Sequence, residues 1–127
     1  MANSIHIIAD FFNCPIDLLN NGVDGEKVLA RTVKESGLSC ILIRYHQFEP
    51  AGYTAAALLA ESHMTIHTWP EHNSAQIDIF TCGSHERAEK AYEVLKRILE
   101  PQKISQKILL RSLDKIEEKM PADLEAD

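Results

Sequence analysis

Apolar and polar residues alternate with period two along several stretches of this chain, and two other stretches carry the start and stop signals of helices. Ser4–Phe11 (SIHIIADF) reads as a strand, followed by a turn around Asn13-Cys14-Pro15. Asp24 is the expected N-cap of a helix that runs through Glu35 and is closed by Gly37. Ser39–Phe48 is β-branched, alternating and closed by Pro50, hence a strand. Ala55–Ala60 and Met64–Trp69 read as two more strands, broken at Glu61-Ser62-His63, and Ala75–Cys82 as another. Ser84 caps an expected helix to Leu99, stopped by Pro101, and Lys103–Leu110 forms the last expected strand. This order predicts an α+β fold: a two-layer sandwich in which a largely antiparallel sheet carries two helices on one face.

The same alternation separates the two faces of that sheet. Ile41, Ile43 and Tyr45 share one side of their strand; Arg44, His46 and Phe48 share the other. Met64 and Ile66 oppose His63, His67 and Trp69, while Ile77 and Ile79 oppose Asp78, Phe80 and Cys82. Asp10 and Phe12 fall opposite Ile7, Ala9 and Phe11. One side is aliphatic and suited to helix packing. The other mixes aromatic and polar groups, and Phe48, Trp69 and Phe80 are poor choices for open water. The expected cover for that second face is another copy of the chain, in a homodimer.

Composition narrows the class. A chain of 127 residues with 45% apolar and 25% charged residues is a single globular domain. A net charge of −6 gives nucleic-acid binding no electrostatic support. No apolar run approaches a membrane span, and Met1-Ala2-Asn3-Ser4 lacks the basic flank and apolar core of a signal sequence. Cys14, Cys40 and Cys82 are widely spaced without a CxxC, so free thiols and a cytoplasmic setting are expected. The domain is expected to span residues 1–111, with 112–127 as an acidic C-terminal tail, frayed or solvated.

Candidate chemistry concentrates in Glu61–Gly83 (ESHMTIHTWPEHNSAQIDIFTCG), which packs two serines, three histidines, two glutamates, the only tryptophan and a cysteine into a β-rich stretch. His63 and His67 have the spacing of a helical zinc pair, but Met64-Thr65-Ile66 between them favours a strand. Four strand residues span roughly 13 Å, whereas two nitrogens on one zinc each lie ~2.0–2.1 Å from it. Metal is therefore discounted for this pair. Ser62 lacks a G-x-S-x-G elbow and, taken alone, reads as a turn residue. Taken alone, His67 reads as a strand histidine, Cys82 as a small buried hydrophobe, Asp78 as a cross-strand charge and Trp69 as a core anchor.

The combined run E-S-H-x-x-I-H-T-W-P-E, followed by D-x-F-T-C-G, resembles the prokaryotic S-adenosylmethionine decarboxylase proenzymes, a pyruvoyl-dependent family. Ile8-Ala9-Asp10-Phe11-Phe12-Asn13-Cys14-Pro15, Leu18-Leu19-Asn20, His46-Gln47-Phe48, Pro50 and Gly52 extend the resemblance over about Ile5 to Leu99. The resemblance implies that Ser62 attacks the carbonyl of Glu61, converting the peptide bond to an ester. A hydroxyl at Thr54 would steady the oxyanion. His67 would act as the processing base, removing the Cα proton of residue 62 so that the ester eliminates. The products would be a β chain, 1–61, and an α chain, 62–127, beginning with a covalent pyruvoyl cofactor derived from Ser62. In turnover the substrate amine would form a Schiff base with that carbonyl, carbon dioxide would leave, and Cys82 would return a proton to Cα. A thiol suits this role because an unperturbed pKa of about 8.5 leaves it largely protonated at neutral pH. Phe48 matches an aromatic that stacks on adenine, and Glu71 a carboxylate that holds the ribose hydroxyls; Trp69 is read as a pocket wall.

The chain departs from the family at His72-Asn73-Ser74, where an aromatic, a glycine and an aromatic are usual, at Ala55 after Thr54, and at Ile5 before His6. These positions flank the expected pocket and remove no catalytic group. The leading expectation is a lyase that decarboxylates S-adenosylmethionine to supply aminopropyl groups for spermidine biosynthesis. A pyruvoyl-dependent decarboxylase of arginine or ornithine is the alternative, with Asp10, Glu49 or Asp78 available for a distal cation. A non-catalytic regulatory paralogue is a third reading, opposed by the presence of Ser62, Thr54, His67 and Cys82 together.

Overall fold

The computed structural model describes residues 4–119. Seven strands form one sheet: β1 (Ser4–Phe12), β2 (Cys40–Gln47), β3 (Tyr53–Leu59), β4 (Ser62–Trp69), β5 (Ser74–Thr81), β6 (Lys103–Arg111) and β7 (Ile116–Glu118). Their order across the sheet is β2-β3-β4-β5-β1-β6-β7, and every neighbouring pair is antiparallel. Helices α1 (Gly22–Ser36) and α2 (His85–Leu99) pack against each other, α1 over β2 and β3, and α2 over β5 and β1. This is the expected α+β architecture.

The period-two reading places the core correctly on most strands. Ile5, Ile7, Ala9 and Phe11 of β1, Met64 and Ile66 of β4, and Ile77 and Ile79 of β5 are all buried beneath the helices. They meet Val28, Leu29 and Val33 of α1 and Ala88, Ala91, Leu95 and Leu99 of α2 in one cluster. Burying a large aliphatic side chain in this way contributes about 1.5–3 kcal/mol. Buried Tyr53 donates its hydroxyl to the Leu18 carbonyl at 2.7 Å, and burial holds its phenol well above the usual range.

Four local expectations are corrected. Helix α1 begins at Gly22 with Asn21 as its N-cap, so Asp24 lies in the first turn instead of capping it. Gly22 and Gly25 look like helix breakers, yet they are the places where the rings of Tyr45 and Tyr53 press on the helix. Strand β4 starts at Ser62, because Leu59 pairs with Ser62 and the turn needs only Ala60 and Glu61. Ile41 is a bulged residue between the pairs Cys40–Leu59 and Leu42–Leu58, so it leaves the helix-facing side and is 61% exposed, while Ile43 and Tyr45 keep theirs. Within 112–127, expected as a frayed or solvated tail, Ile116–Glu118 is solvated but pairs with β6 as an edge strand, and residues 120–127 lie outside the described residues. The C-cap Gly37 has φ 78°, the left-handed position that favours glycine, and Ser84 caps α2 by accepting from the Arg87 amide; both match the sequence reading.

A Cβ added at Gly25 would stand 2.1 Å from Cε1 of Tyr53. Gly25→Ala should therefore lower stability by about 1–3 kcal/mol through overpacking, read as a drop in the urea midpoint. A shift no larger than that of an exposed α1 substitution such as Lys34→Ala would contradict this packing.

Candidate active site

The uncovered face of the sheet follows from the strand register. Asp10, Gln76, His67, Thr54 and His46 lie in one row across it, and His6, Phe80, His63 and Leu58 in another. Thr54 and His67 face each other across β3 and β4, with Oγ1 and Nδ1 sharing a hydrogen bond of 3.1 Å. Beside them opens a cavity of about 410 Å³, within the size range of small-molecule sites. Phe48, Thr54, His67, Trp69 and Glu71 all line it, so five of the residues singled out in the sequence meet in one place. Phe48 and Trp69 are each 47% exposed. These are aromatic faces offered to a ligand or a partner.

The loop that carries Phe48 is tied down from below. Gln47 donates through its amide to the carbonyls of Asn20 at 2.9 Å and Gly52 at 3.0 Å, and accepts from the Gly22 amide at 2.7 Å. Buried Thr68 accepts from the Tyr53 amide at 2.9 Å and donates to the Leu19 carbonyl at 2.8 Å. Trp69 donates its indole N–H to Gln76 at 3.3 Å. Glu71 sits in the short 3₁₀ turn Pro70–His72, which ends at Asn73 with φ 52°. Asparagine is among the few non-glycine residues that tolerate this left-handed conformation, which suits Asn73 to a position where the family resemblance leads to glycine being expected.

Glu61, Ser62 and Cys82 form a second cluster at the other end of β4. The Cys82 amide donates to the Glu61 carbonyl at 3.0 Å. Ser62 donates its hydroxyl to Thr81 Oγ1 at 2.5 Å, and the same oxygen accepts from the Gly83 amide at 2.9 Å. Ser4 donates to Cys82 Sγ at 3.4 Å. Glu61 and Ser62 border a cleft of about 290 Å³ with Leu38, Ser39 and Arg87. Five residues of strand separate Ser62 from His67, roughly 16 Å. The parity of β4 also places them on opposite faces, Ser62 with buried Met64 and Ile66, His67 with the open side. The structure therefore does not bring Ser62 and His67 together within one chain.

Sequence reasoning assigned no role to Thr81, although it lies inside the quoted F-T-C-G run, and it missed the cluster made by His6, Asp78 and His63. His6 Nε2 lies 2.5 Å from Asp78 Oδ1 and His63 Nε2 3.8 Å from it. Pairing β1, β5 and β4 side by side was the signal that would have found both. Their three donor atoms lie within 4.8 Å of one another. The Arg111 guanidinium stands 3.4 Å from His6 Nδ1 and stacks 5.0 Å over the Phe80 ring. A fixed cation against the ring of His6, whose other nitrogen is already paired with Asp78, opposes a dication, so the cluster reads as a His–Asp pair buttressed by aromatics.

A sheet with one helix-covered face, a small-molecule cavity on the other, and a serine pinned at the start of a hairpin strand is the frame of an α+β enzyme domain. The sequence model for S-adenosylmethionine decarboxylase matches residues 5–112, and the chain belongs to that family. It is 42% identical over 107 residues to the S-adenosylmethionine decarboxylase proenzyme of Persephonella marina, covering 84% of this chain and 80% of that one. It is 39% identical over 113 residues to the proenzyme of Methanococcus vannielii, covering 89% and 93%. The crystal structure of adenosylmethionine decarboxylase from Aquifex aeolicus superposes with a TM-score of 0.85 at 34% identity, covering 90% of this chain and 94% of that one.

Thiol chemistry offers a check on the geometry. Cys40 and Cys82 are exposed, whereas Cys14 is 3% exposed and burial pushes its thiol up to about 11. Raising a thiol pKa disfavours the thiolate, leaving about one Cys14 in a thousand ionised at pH 8. Iodoacetamide at pH 8 should add two labels to the native chain quickly and a third only after denaturation. Three labels at equal rates would contradict the placement of Cys14.

Proposed function

We propose that this chain is a self-processing, pyruvoyl-dependent decarboxylase of S-adenosylmethionine. The observation that carries the reading is the hydrogen-bonded Glu61–Ser62 peptide in a chain of this family. Ser62 Oγ adds to the Glu61 carbonyl, whose oxygen takes the electron pair while the Cys82 amide N–H donates to it, a place the family resemblance gave to the Thr54 hydroxyl, which within one chain lies with His67 at the far end of β4. The C–N bond then breaks, the serine proton ends on the freed amine, and an ester remains. His67, polarised by its bond to Thr54, removes the Cα proton of residue 62; the Cβ–O bond breaks and the Glu61 carboxylate leaves. Water releases ammonia from the resulting dehydroalanine, giving chains 1–61 and 62–127. No helix among the described residues is long and apolar enough to cross a membrane. A cytoplasmic setting belongs to this proposal.

The residues present fit a pyruvoyl group at position 62, since the precursor hydroxyl and the scissile carbonyl are both held by the segment Thr81–Gly83. Such a group supplies an electrophilic carbonyl that takes up electron density as carbon dioxide leaves. Phe48 stacks on adenine, Glu71 accepts from the ribose hydroxyls, Trp69 walls the pocket, and the Cys82 thiol returns a proton to the substrate Cα.

These roles need two chains. Ser62 and Cys82 lie roughly 16 Å of strand away from the Thr54–His67 pair, and the open face presents Ile8, Phe48, Leu58 and Trp69, each more than 40% exposed. A two-fold packing of open faces sets the Ser62 end of one sheet against the His67 end of the other. A homodimer thus covers the apolar face and assembles the site.

The test is complementation. Ser62→Ala and His67→Ala variants should each remain uncut alone, whereas co-expression should cleave the His67→Ala chain, which keeps its own serine and borrows the partner's imidazole. An uncut mixture would contradict the shared site. Carbon dioxide should be released from S-adenosylmethionine and not from arginine or ornithine; the reverse would favour the basic amino acid reading, and none from any would favour a regulatory paralogue.

A further inference from the structure

We infer that Thr81 is the positioning residue for the self-cleavage, setting the Ser62 hydroxyl for its attack on Glu61; the inference rests on the self-processing reading above. Thr81 is 1% exposed, on the helix-facing side of β5, directly opposite Ser62 in the β4–β5 register. Its β-branched side chain has little χ1 freedom in a strand, so the oxygen is fixed in space. That oxygen accepts from Ser62 Oγ at 2.5 Å and from the Gly83 amide at 2.9 Å. The Gly83 bond anchors the acceptor from its own strand end, and the Ser62 bond fixes the rotamer of the nucleophile.

A nucleophilic hydroxyl must present a lone pair to the carbonyl carbon while its proton points elsewhere. Donation to Thr81 achieves this. The next residue holds the other partner, since the Cys82 amide donates to the Glu61 carbonyl at 3.0 Å. Nucleophile and electrophile are therefore gripped by consecutive residues of one strand end, and neither grip depends on the open face or on a second chain. Thr81 takes no net proton: the Ser62 proton finishes on the freed amine of residue 62, and the threonine is unchanged. Preorganisation of this kind lowers the entropic part of the barrier to the acyl shift, the first step, and leaves the later elimination alone.

The full-length protein is purified promptly after synthesis and its cleavage followed by denatured intact mass, with and without hydroxylamine. Hydroxylamine attacks an ester at its carbonyl, leaving a hydroxamate on Glu61 and a free serine at residue 62. Thr81→Val, which keeps the shape and removes the acceptor, should cleave more than tenfold slower than wild type, with hydroxylamine giving no acceleration. Thr81→Ser should restore cleavage to within about threefold, because it returns the acceptor. Thr81→Ala serves in its place should the valine variant lose its cooperative melting transition. Cleavage of the folded valine or alanine variant at the wild-type rate would overturn the inference. So would slow cleavage that hydroxylamine accelerates, since that places the defect after the ester. Wild type that stays uncut would instead overturn the self-processing reading, so the two failures are distinct.

Discussion

The register between β4 and β5 is the constraint on which the chemistry of this molecule depends. It sets Ser62 opposite Thr81, His63 opposite Phe80, Thr65 opposite Asp78 and His67 opposite Gln76. A slip of one residue would carry Ser62 to the open face and His67 into the core, since side chains alternate along a strand. The register is strongly specified because Met64 and Ile66 must stay buried beside Ile77 and Ile79. Aliphatic burial, with no catalytic role of its own, thus decides where every reactive group on these strands points.

Two consequences follow from the same alternation. The helix side holds the peptide proposed for cleavage, with Glu61 and Ser62 tied to the end of β5 through Thr81, Cys82 and Gly83. The open side holds the cavity, the Thr54–His67 pair and the exposed aromatics. The groups proposed for cleavage are held within each chain, whereas those proposed for proton removal and substrate binding lie at the far end of β4. Distance along a strand is the physical reason for proposing a second copy, and the exposed apolar face gives that copy a surface to bury.

Much of this was legible in the sequence. Strand periodicity identified both faces of β1, β4 and β5, and the cap residues Ser84 and Gly37 marked helix ends where the structure has them. Five pocket residues named from the family resemblance converge on one cavity. What escaped was whatever depends on pairing between distant segments. The bulge at Ile41 follows from how β2 meets β3, and the early start of α1 from tyrosine rings packing on Gly22 and Gly25. The Ser62–Thr81 bond and the His6–Asp78 pair link residues 19 and 72 positions apart, which local patterns do not encode. Strand β7 is solvated on all three residues, so it carries no alternation to detect.

The central claim is that this chain cuts itself between Glu61 and Ser62. The most direct measurement is the denatured intact mass of the purified protein beside its Ser62→Ala variant. The account predicts two fragments from the wild type, residues 1–61 and a blocked 62–127 lighter than the same peptide with a free serine, and a single full-length mass from the variant. A single full-length wild-type mass after prolonged incubation would contradict it, as would the same two fragments from both proteins.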